Sequence, residues 1–287
     1  MRQDKWNLFK VVGWVLFIFA IAFFSLQMGY LFIHANYQVE YIDDRLFYII
    51  NIFCVICLLL AIGTLLKLTK RLNLMVTGVG AALIIFNLIM LISSNQEIKN
   101  ITSISPGWSN VLSIKENMES GDAVYYRSYY GILARPKEKL PYKATGEFKT
   151  EWLADDVVAV TYEAADSTIQ QFIGTHGDRG SGRSYYYVGA EIHGTWQNDN
   201  IEVLSDTNGI TVTENSETEL FEWDHIQQFG TLAVVLKRNN EAVWTISLNE
   251  NFEVLSNSSE PNVGNITLYK ATMEKNDPII LNSISSN

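Results

Sequence analysis

The sequence has very little cysteine. Only Cys54 and Cys57 occur in the 287 residues, and residues 94–287 contain none. That larger part of the chain therefore forms no disulfide bonds and must depend on a hydrophobic core for its stability. The two cysteines form a C-x-x-C pair inside a long apolar run, without a second pair and without polar surroundings. This context favours a lipid-facing or packing role over zinc binding or redox chemistry.

Charged residues are absent from three long hydrophobic runs, at residues 11–33, 46–66 and 74–93. Each run provides the ~20 residues that a helix needs to cross a bilayer. A buried helix of a soluble protein rarely lacks charge on every face over such a length. Residues 1–93 are therefore predicted to form three transmembrane helices. The first run is interpreted as a retained anchor, because no small-residue cleavage pattern follows it.

The charged residues divide the chain into two contrasting parts. Residues 1–93 contain seven basic and four acidic residues, whereas residues 94–287 contain 14 basic and 27 acidic residues. An acidic surface disfavours nucleic acid as a partner. The expected partners are therefore the lipid bilayer and other proteins.

Lys and Arg precede the first run and fill the link between the second and third, while the link between the first and second is acidic apart from Arg45. The positive-inside rule therefore predicts a cytoplasmic N-terminus and an extracytoplasmic C-terminal region. The lack of cysteine outside the membrane, with the frequent Asn, Ile and Lys, favours the plasma membrane of a Gram-positive bacterium.

After residue 107 the sequence changes to short runs rich in Val, Ile, Thr and Tyr, separated by turn formers such as Asn208-Gly209. About ten such runs predict an all-β extracytoplasmic domain, built as a sandwich, a barrel or two small sheets. Residues 94–107 are polar and end at Pro106-Gly107, which predicts a juxtamembrane stalk. The β domain is then residues 108–287, with a subdivision near the polar residues 197–209 left open.

The segment GTHGDRGSGRSYYYVGAEIHGTW, residues 174–196, combines glycine, histidine and arginine with three adjacent tyrosines. Its glycine-rich part separates two strand-like runs and is longer than a tight hairpin turn. It is either a solvated hairpin tip or a recognition loop, in which arginines bind a carboxylate or phosphate and tyrosines form a platform. The candidate ligand-binding residues are His176, Asp178, Arg179, Arg183, Tyr185, Tyr187 and His193.

Signatures of catalysis are missing from the sequence. No H-x-x-x-H, H-E-x-x-H or G-x-S-x-G motif occurs. The favoured hypothesis is a non-enzymatic membrane protein that binds an envelope ligand or a membrane or envelope protein, as a sensor, accessory subunit or immunity-type factor, without cofactor or metal. The alternative is an envelope hydrolase or metal-dependent enzyme centred on residues 174–196, because His176, Asp178 and His193 are suitable metal ligands.

Three amides lie at a similar depth in the predicted transmembrane helices. Counted at 1.5 Å per residue, Gln27, Asn51 and Asn87 each lie ~8 to 9 Å below the outer boundary. An amide in hydrocarbon gains from bonding to another amide across a helix interface. The three residues are therefore predicted to face inward as an intramembrane polar layer.

Overall fold

A computed structural model describes residues 2–129, 131–179, 185–254 and 262–284 of the chain. The chain divides into two compact units. The first unit contains the long helices and most of one β-sheet, and comprises Met1–Thr102, Ser113–Ser120 and Val124–Glu138. The second unit contains the remaining strands, and comprises Ser103–Leu112, Gly121–Ala123 and Lys139–Asn287.

Three long apolar helices form the N-terminal part of the described chain: α1 (Arg2–Tyr37), α2 (Arg45–Leu65) and α3 (Lys70–Glu97). Each is long and apolar enough to cross a membrane. Most of their Leu, Ile and Phe side chains are exposed, because each helix is apolar on all faces and only one stripe can contact a neighbour. Such a surface suits insertion into a bilayer, as the three uncharged runs predict.

Small residues let the helices approach closely. A Cβ atom on Gly13 would come 2.4 Å from Thr64 Oγ1 of α2, and a Cβ atom on Gly80 of α3 would come 2.5 Å from Leu59 Cδ1. Cys54 Sγ lies 3.4 Å from Ala20 O of α1. The pair Cys54 and Cys57 is half-buried within α2. This placement agrees with the packing role that the sequence favoured for the cysteines.

The first unit also carries strands of a five-stranded sheet, in the order β1-β5-β4-β3-β2. The short strand β1 comes from the link between α1 and α2 and pairs antiparallel with β5, with Tyr41 opposite Leu133. The strands of this sheet are β1 (Glu40–Tyr41), β2 (Ile98–Ile104), β3 (Val111–Asn117), β4 (Ala123–Tyr129) and β5 (Leu133–Lys139).

Residues 94–107, which the sequence predicted to be a stalk, have regular structure over most of their length. Helix α3 continues to Glu97 and β2 follows without a break. Ile98, Ile101 and Ile104 are β-branched residues interleaved with polar ones, and a strand at the edge of a sheet tolerates that mixture. The polar composition that predicted a stalk therefore belongs to a half-exposed edge strand.

The second unit begins with a three-stranded antiparallel sheet in the order β6-β7-β8. Its strands are β6 (Ala144–Ala154), β7 (Val157–Ala164) and β8 (Ile169–Thr175). The central strand β7 is almost wholly buried. Phe172 of β8 packs edge-to-face on Phe229, with ring centroids 5.5 Å apart. Through β8 the small sheet covers part of the larger sheet of this unit.

The larger sheet has nine antiparallel strands in the order β12-β11-β10-β9-β17-β16-β15-β14-β13. It forms a nearly closed barrel, because β12 at one end of the order contacts β14 near the other. A short helix α4 (Val188–Glu191) precedes it, and a 3₁₀ turn, η1 (Trp223–His225), links two of its strands. The strands are β9 (Gly194–Asn198), β10 (Ile201–Ser205), β11 (Gly209–Glu214), β12 (Glu217–Glu222), β13 (Ile226–Phe229), β14 (Ala233–Arg238), β15 (Glu241–Leu248), β16 (Asn265–Lys270) and β17 (Ile279–Ile284).

The interior of the barrel holds a hydrophobic core. Alternate residues of its strands point inward, and Trp196, Phe221, Ile246 and Phe252 are among the buried side chains. Residues 197–209, where the sequence left a subdivision open, lie inside this sheet and comprise the end of β9, the whole of β10, the turns on either side of it and the start of β11. Asp199 has a φ of +43° in the first of these turns. The polar composition there is that of tight turns between paired strands.

Candidate functional site

The side chain of Arg179 is buried in the second unit, where Asp156 and Asn249 accept its hydrogen bonds. Its guanidinium forms a bidentate ion pair with the carboxylate of Asp156, which lies in the turn between β6 and β7. Nη2 is 2.7 Å from Oδ1, and Nη1 bonds to Oδ2. Its Nε donates to Asn249 O at 2.7 Å. The side chain is only 7% exposed. The carboxylate that the sequence expected from a ligand is therefore supplied within the domain.

The other predicted residues before the tyrosines are His176, Asp178 and Arg183. The backbone N–H of His176 donates to Asp156 O at 2.9 Å, and its ring stacks on Trp152 with centroids 6.1 Å apart. Asp178 is exposed. Arg183 lies outside the described residues. His176 and Arg179 thus both bond to Asp156 in the turn between β6 and β7.

The three tyrosines on the other side of the loop alternate in burial. Tyr186 is buried, and its hydroxyl accepts a bond from the backbone N–H of Arg179 at 2.8 Å. Burial raises the pKa of Tyr186 above its ordinary value. Tyr185 and Tyr187 are 56% and 67% exposed, and their rings pack edge-to-face with centroids 5.5 Å apart. The buried tyrosine anchors the segment while its two neighbours face solvent.

Gln228 of β13 fixes the backbone of this tyrosine segment. Its Nε2 donates to Tyr186 O at 2.8 Å and to Tyr185 Oη at 3.1 Å, while its Oε1 accepts from the N–H of Val188 at 3.0 Å. One amide therefore binds the backbone on both sides of Tyr187, the residue before α4. The exposed rings are presented on a bound segment.

An apolar groove of about 370 Å³ lies beside Tyr187 and is called the aromatic groove here. Trp223, 40% exposed, forms one wall, and its Nε1 donates to Thr207 O at 3.2 Å. Gly189 permits this position, since a Cβ atom there would come 2.3 Å from Trp223 Cζ3. Exposed Trp and Tyr rings on a fixed backbone are typical of binding surfaces. The groove is lined by Tyr187, Gly189, Ala190, Trp223, Ile226, Gln228 and Val234.

Acidic residues are adjacent in sequence to residues that line the aromatic groove. Glu222 and Asp224 precede and follow Trp223 and are exposed, with carboxylate oxygens within 4.8 Å of each other, and Glu191 follows Ala190 in α4. Asn262 donates to both the backbone O and Oε2 of Glu191, at 2.9 and 2.8 Å. The surroundings of the groove therefore favour a cationic ligand over an anionic one.

The structure does not bring the three potential metal ligands of the sequence together. His193 is exposed just after α4, while His176 packs on Trp152. Within the described ranges, the one group of three close metal-ligand types is Glu222, Asp224 and His225, and all three are exposed. Exposed acidic residues of this kind are common on protein surfaces without a metal.

A second groove, of about 710 Å³, was not foreseen from the sequence. Asp155 in its wall accepts bonds from the N–H of Gly107, at 2.5 Å, and from the hydroxyl of Ser109. The hydroxyls of Ser109 and Ser105 and the N–H of Gly107 lower the pKa of Asp155 below its ordinary value. The backbone N–H of Asp155 donates to Glu250 Oε1 at 2.9 Å. The carboxylates of Asp155 and Glu250 therefore accept hydrogen bonds from within the groove wall and stabilise it.

The three amides of the predicted polar layer have different surroundings. Gln27 is buried, donates to Phe47 O at 2.7 Å and accepts from Tyr41 Oη at 3.2 Å. Asn51 is half-buried in α2. Asn87 donates to Leu83 O of its own helix at 2.9 Å. The hydrogen bonds of Gln27 join α1 to α2 and to the link before α2, whereas the hydrogen bond of Asn87 is within α3.

The helices and sheets together define a membrane-inserted protein whose three apolar helices precede an all-β region. No protein-family model matches the chain, and no curated protein or solved structure is detectably similar to it. Its function has to be inferred from its own side chains and their surroundings.

Proposed function

We propose that this chain is a non-enzymatic membrane protein whose β region binds a membrane or envelope protein through the aromatic groove. The observation that carries the proposal is the exposure of Tyr187 and Trp223 on a backbone that Gln228 and Gly189 hold in place. Rigid aromatic anchors, above all Trp and Tyr, contribute most of the binding energy of many protein interfaces.

The charge around the groove indicates the chemistry of the partner. Glu191, Glu222 and Asp224 are next in sequence to residues of the groove wall, and residues 94–287 are strongly acidic as a whole. A partner segment with basic side chains beside an aromatic or aliphatic anchor would complement both features. Such a surface suits a sensor, an accessory subunit or an immunity-type factor.

The membrane orientation is part of the proposal. Lys67, Lys70 and Arg71 are concentrated in the link between α2 and α3, and the N-terminus is also basic. The acidic link between α1 and α2 supports the opposite side for the other ends of the helices. The β region is then extracytoplasmic. A plasma membrane of a Gram-positive bacterium is the setting that the cysteine-free β region favours.

Site-specific photo-cross-linking in intact cells tests the groove. A benzophenone amino acid at Tyr187 of the full chain should give a discrete adduct with one protein. The same probe at Ile280, which is 53% exposed on β17 and lies outside the groove lining, is the matched control and should give none. The double substitution Glu222→Lys and Asp224→Lys should abolish the adduct at position 187.

Two results would argue against this function. Equal adducts at positions 187 and 280 would indicate non-specific contact, and no adduct at 187 in cells that express the folded chain would leave the groove without a protein partner. If the adduct still formed after the charge reversal, the groove would remain the binding site, but its partner would not be basic.

A further inference from the structure

The ends of all three long helices meet at a small cavity of about 290 Å³, called the helix-end cavity here. The last part of α1, the first turn of α2 and the last turn of α3 contribute to its wall. It therefore lies where the apolar spans end, which is the level of lipid headgroups for a membrane-inserted bundle. Its wall consists of Tyr30, Leu31, His34, Tyr41, Asp44, Phe47, Tyr48 and Ser94.

The helix-end cavity is next to a cluster with excess negative charge. Lys115 of β3 forms ion pairs at 2.6 Å with both Glu40 and Asp44, and its side chain is only 5% exposed. Two carboxylates thus share one ammonium group. Asp44 also forms part of the cavity wall, which contains neither Lys nor Arg. Burial raises the pKa of Asp44, so a further cation nearby would offset the cost of desolvating this carboxylate.

Aromatic side chains form much of the cavity wall. Tyr30 stacks on Tyr41 with centroids 4.0 Å apart, and Phe47 is tilted by 53° from Tyr30. The ring of Tyr48 is nearly perpendicular to that of Phe47, at 89°. Because Tyr30 stacks on both Tyr41 and His34, Tyr48 rather than Tyr30 is the ring that can contact a substituted ammonium group beside the carboxylate of Asp44.

We infer that the helix-end cavity binds the ammonium headgroup of a phospholipid, with Asp44 and Tyr48 as contacts of the cation. The position at the ends of the spans favours a lipid over a soluble ligand. Leu31, 43% exposed, gives the cavity an apolar wall along which an acyl chain can pass. The inference is independent of the aromatic groove, which belongs to the other unit of the chain.

Native mass spectrometry of the full chain in detergent tests this site. The protein is offered equal amounts of phosphatidylcholine and phosphatidylglycerol, and the retained lipid is counted. We expect preferential retention of phosphatidylcholine. Tyr48→Leu should weaken that retention by about threefold or more, whereas Tyr48→Phe, which keeps a ring face, should preserve it. Asp44→Asn should also remove the preference.

Matched controls separate the site from general effects at the same end of the bundle. Tyr37→Leu removes an exposed ring of α1, and Glu97→Gln removes an exposed carboxylate of α3, and neither residue lines the cavity. Both variants should keep the lipid preference. Melting curves and size-exclusion profiles of Tyr48→Leu and Tyr48→Phe should coincide, so that a loss restricted to Tyr48→Leu reports the ring face.

The source of the ammonium group is tested with choline chloride. Millimolar choline should displace little phosphatidylcholine, because the acyl chain contributes to binding. Complete displacement would identify a site for a soluble ammonium compound and overturn the lipid assignment. Equal retention of both lipids by the wild type, or equal loss with Tyr48→Leu and Glu97→Gln, would overturn the site itself.

Discussion

Arg179 and Asp156 form a forked ion pair that joins the glycine-rich loop to the turn between β6 and β7. The Arg179 side chain is 7% exposed and that of Asp156 is 18% exposed. The same guanidinium also donates to Asn249 O, after β15. One side chain thus connects three segments of the second unit that are distant in sequence.

Arg179→Ala should destabilise the protein. The substitution leaves the carboxylate of Asp156 largely buried without its partner, and breaking a buried pair in this way costs about 3 to 5 kcal/mol. The melting temperature of the full chain in detergent measures the effect. Arg238→Ala is the matched control, because Arg238 pairs with Glu219 at 3.1 Å while its side chain is 60% exposed. That variant should lose less than about 1 kcal/mol. Similar losses in both variants would show that the Arg179 pair has no special role.

The glycine-rich loop shows how far sequence could predict the site. The sequence predicted a hairpin connection here, but β8 and β9 belong to different sheets and part of the predicted second strand forms α4. The partner of Arg179 could not be predicted, because any carboxylate suits a guanidinium and Asp156 lies 23 residues away. Trp223 was missed for a similar reason, since only the packing of Gly189 against its ring reveals the groove.

The fold was predictable to different degrees in its two kinds of structure. Uncharged runs identified all three long helices, because the length and polarity needed to cross a bilayer are visible in the sequence alone. The edge strand β2 and the two-residue strand β1 were not identifiable. Tyr41 becomes a strand residue only through its pairing with Leu133, and such long-range pairing leaves no local pattern.

Gly189→Ala should disturb the aromatic groove. The added methyl group would lie 2.3 Å from Trp223 Cζ3, so the indole must move, at a cost of about 1 to 3 kcal/mol. We expect a lower melting temperature and a weaker photo-cross-link at position 187. Gly177→Ala is the control, because its Cβ atom would meet Asp156 Oδ2 at 3.4 Å, an ordinary contact. A drop for Gly177→Ala as large as that for Gly189→Ala would mean that the clash with Trp223 is not the cause.

Protease added to intact protoplasts should digest the β region. The positive link between α2 and α3 predicts that this region is outside the cytoplasm, whereas a tag placed between Lys67 and Lys70 should be protected until lysis. Both results are read on immunoblots of the same samples. If the β region were protected and the tag cleaved, the orientation would be the opposite of the one predicted, and an envelope partner would be excluded.

Asp155→Asn should reduce the loss of stability that the second unit undergoes as the pH falls. Bonds from Ser109, Ser105 and Gly107 lower the pKa of Asp155 in the folded state. A carboxyl group with a lowered folded pKa contributes stability above its unfolded pKa of about 3.9, and the contribution is lost as pH falls through the folded value. The wild type should therefore melt above the variant at pH 7, and the gap should narrow towards pH 3. A gap that is constant over this range would exclude ionisation of Asp155 as its cause.

Gln27→Leu should destabilise the helix bundle more than Asn87→Leu does. The first substitution removes the partners of Phe47 O and Tyr41 Oη at a buried position, which costs about 1 to 3 kcal/mol. The second removes an amide that bonds to Leu83 O of its own helix, and leucine suits the apolar surroundings of α3. Melting of the two variants in detergent gives the comparison. Cysteines at positions 27, 51 and 87, in a background without Cys54 and Cys57, provide a second test. Efficient cross-linking of position 87 to 27 or 51, together with equal losses from the two leucine variants, would instead support a shared layer of amides across the bundle.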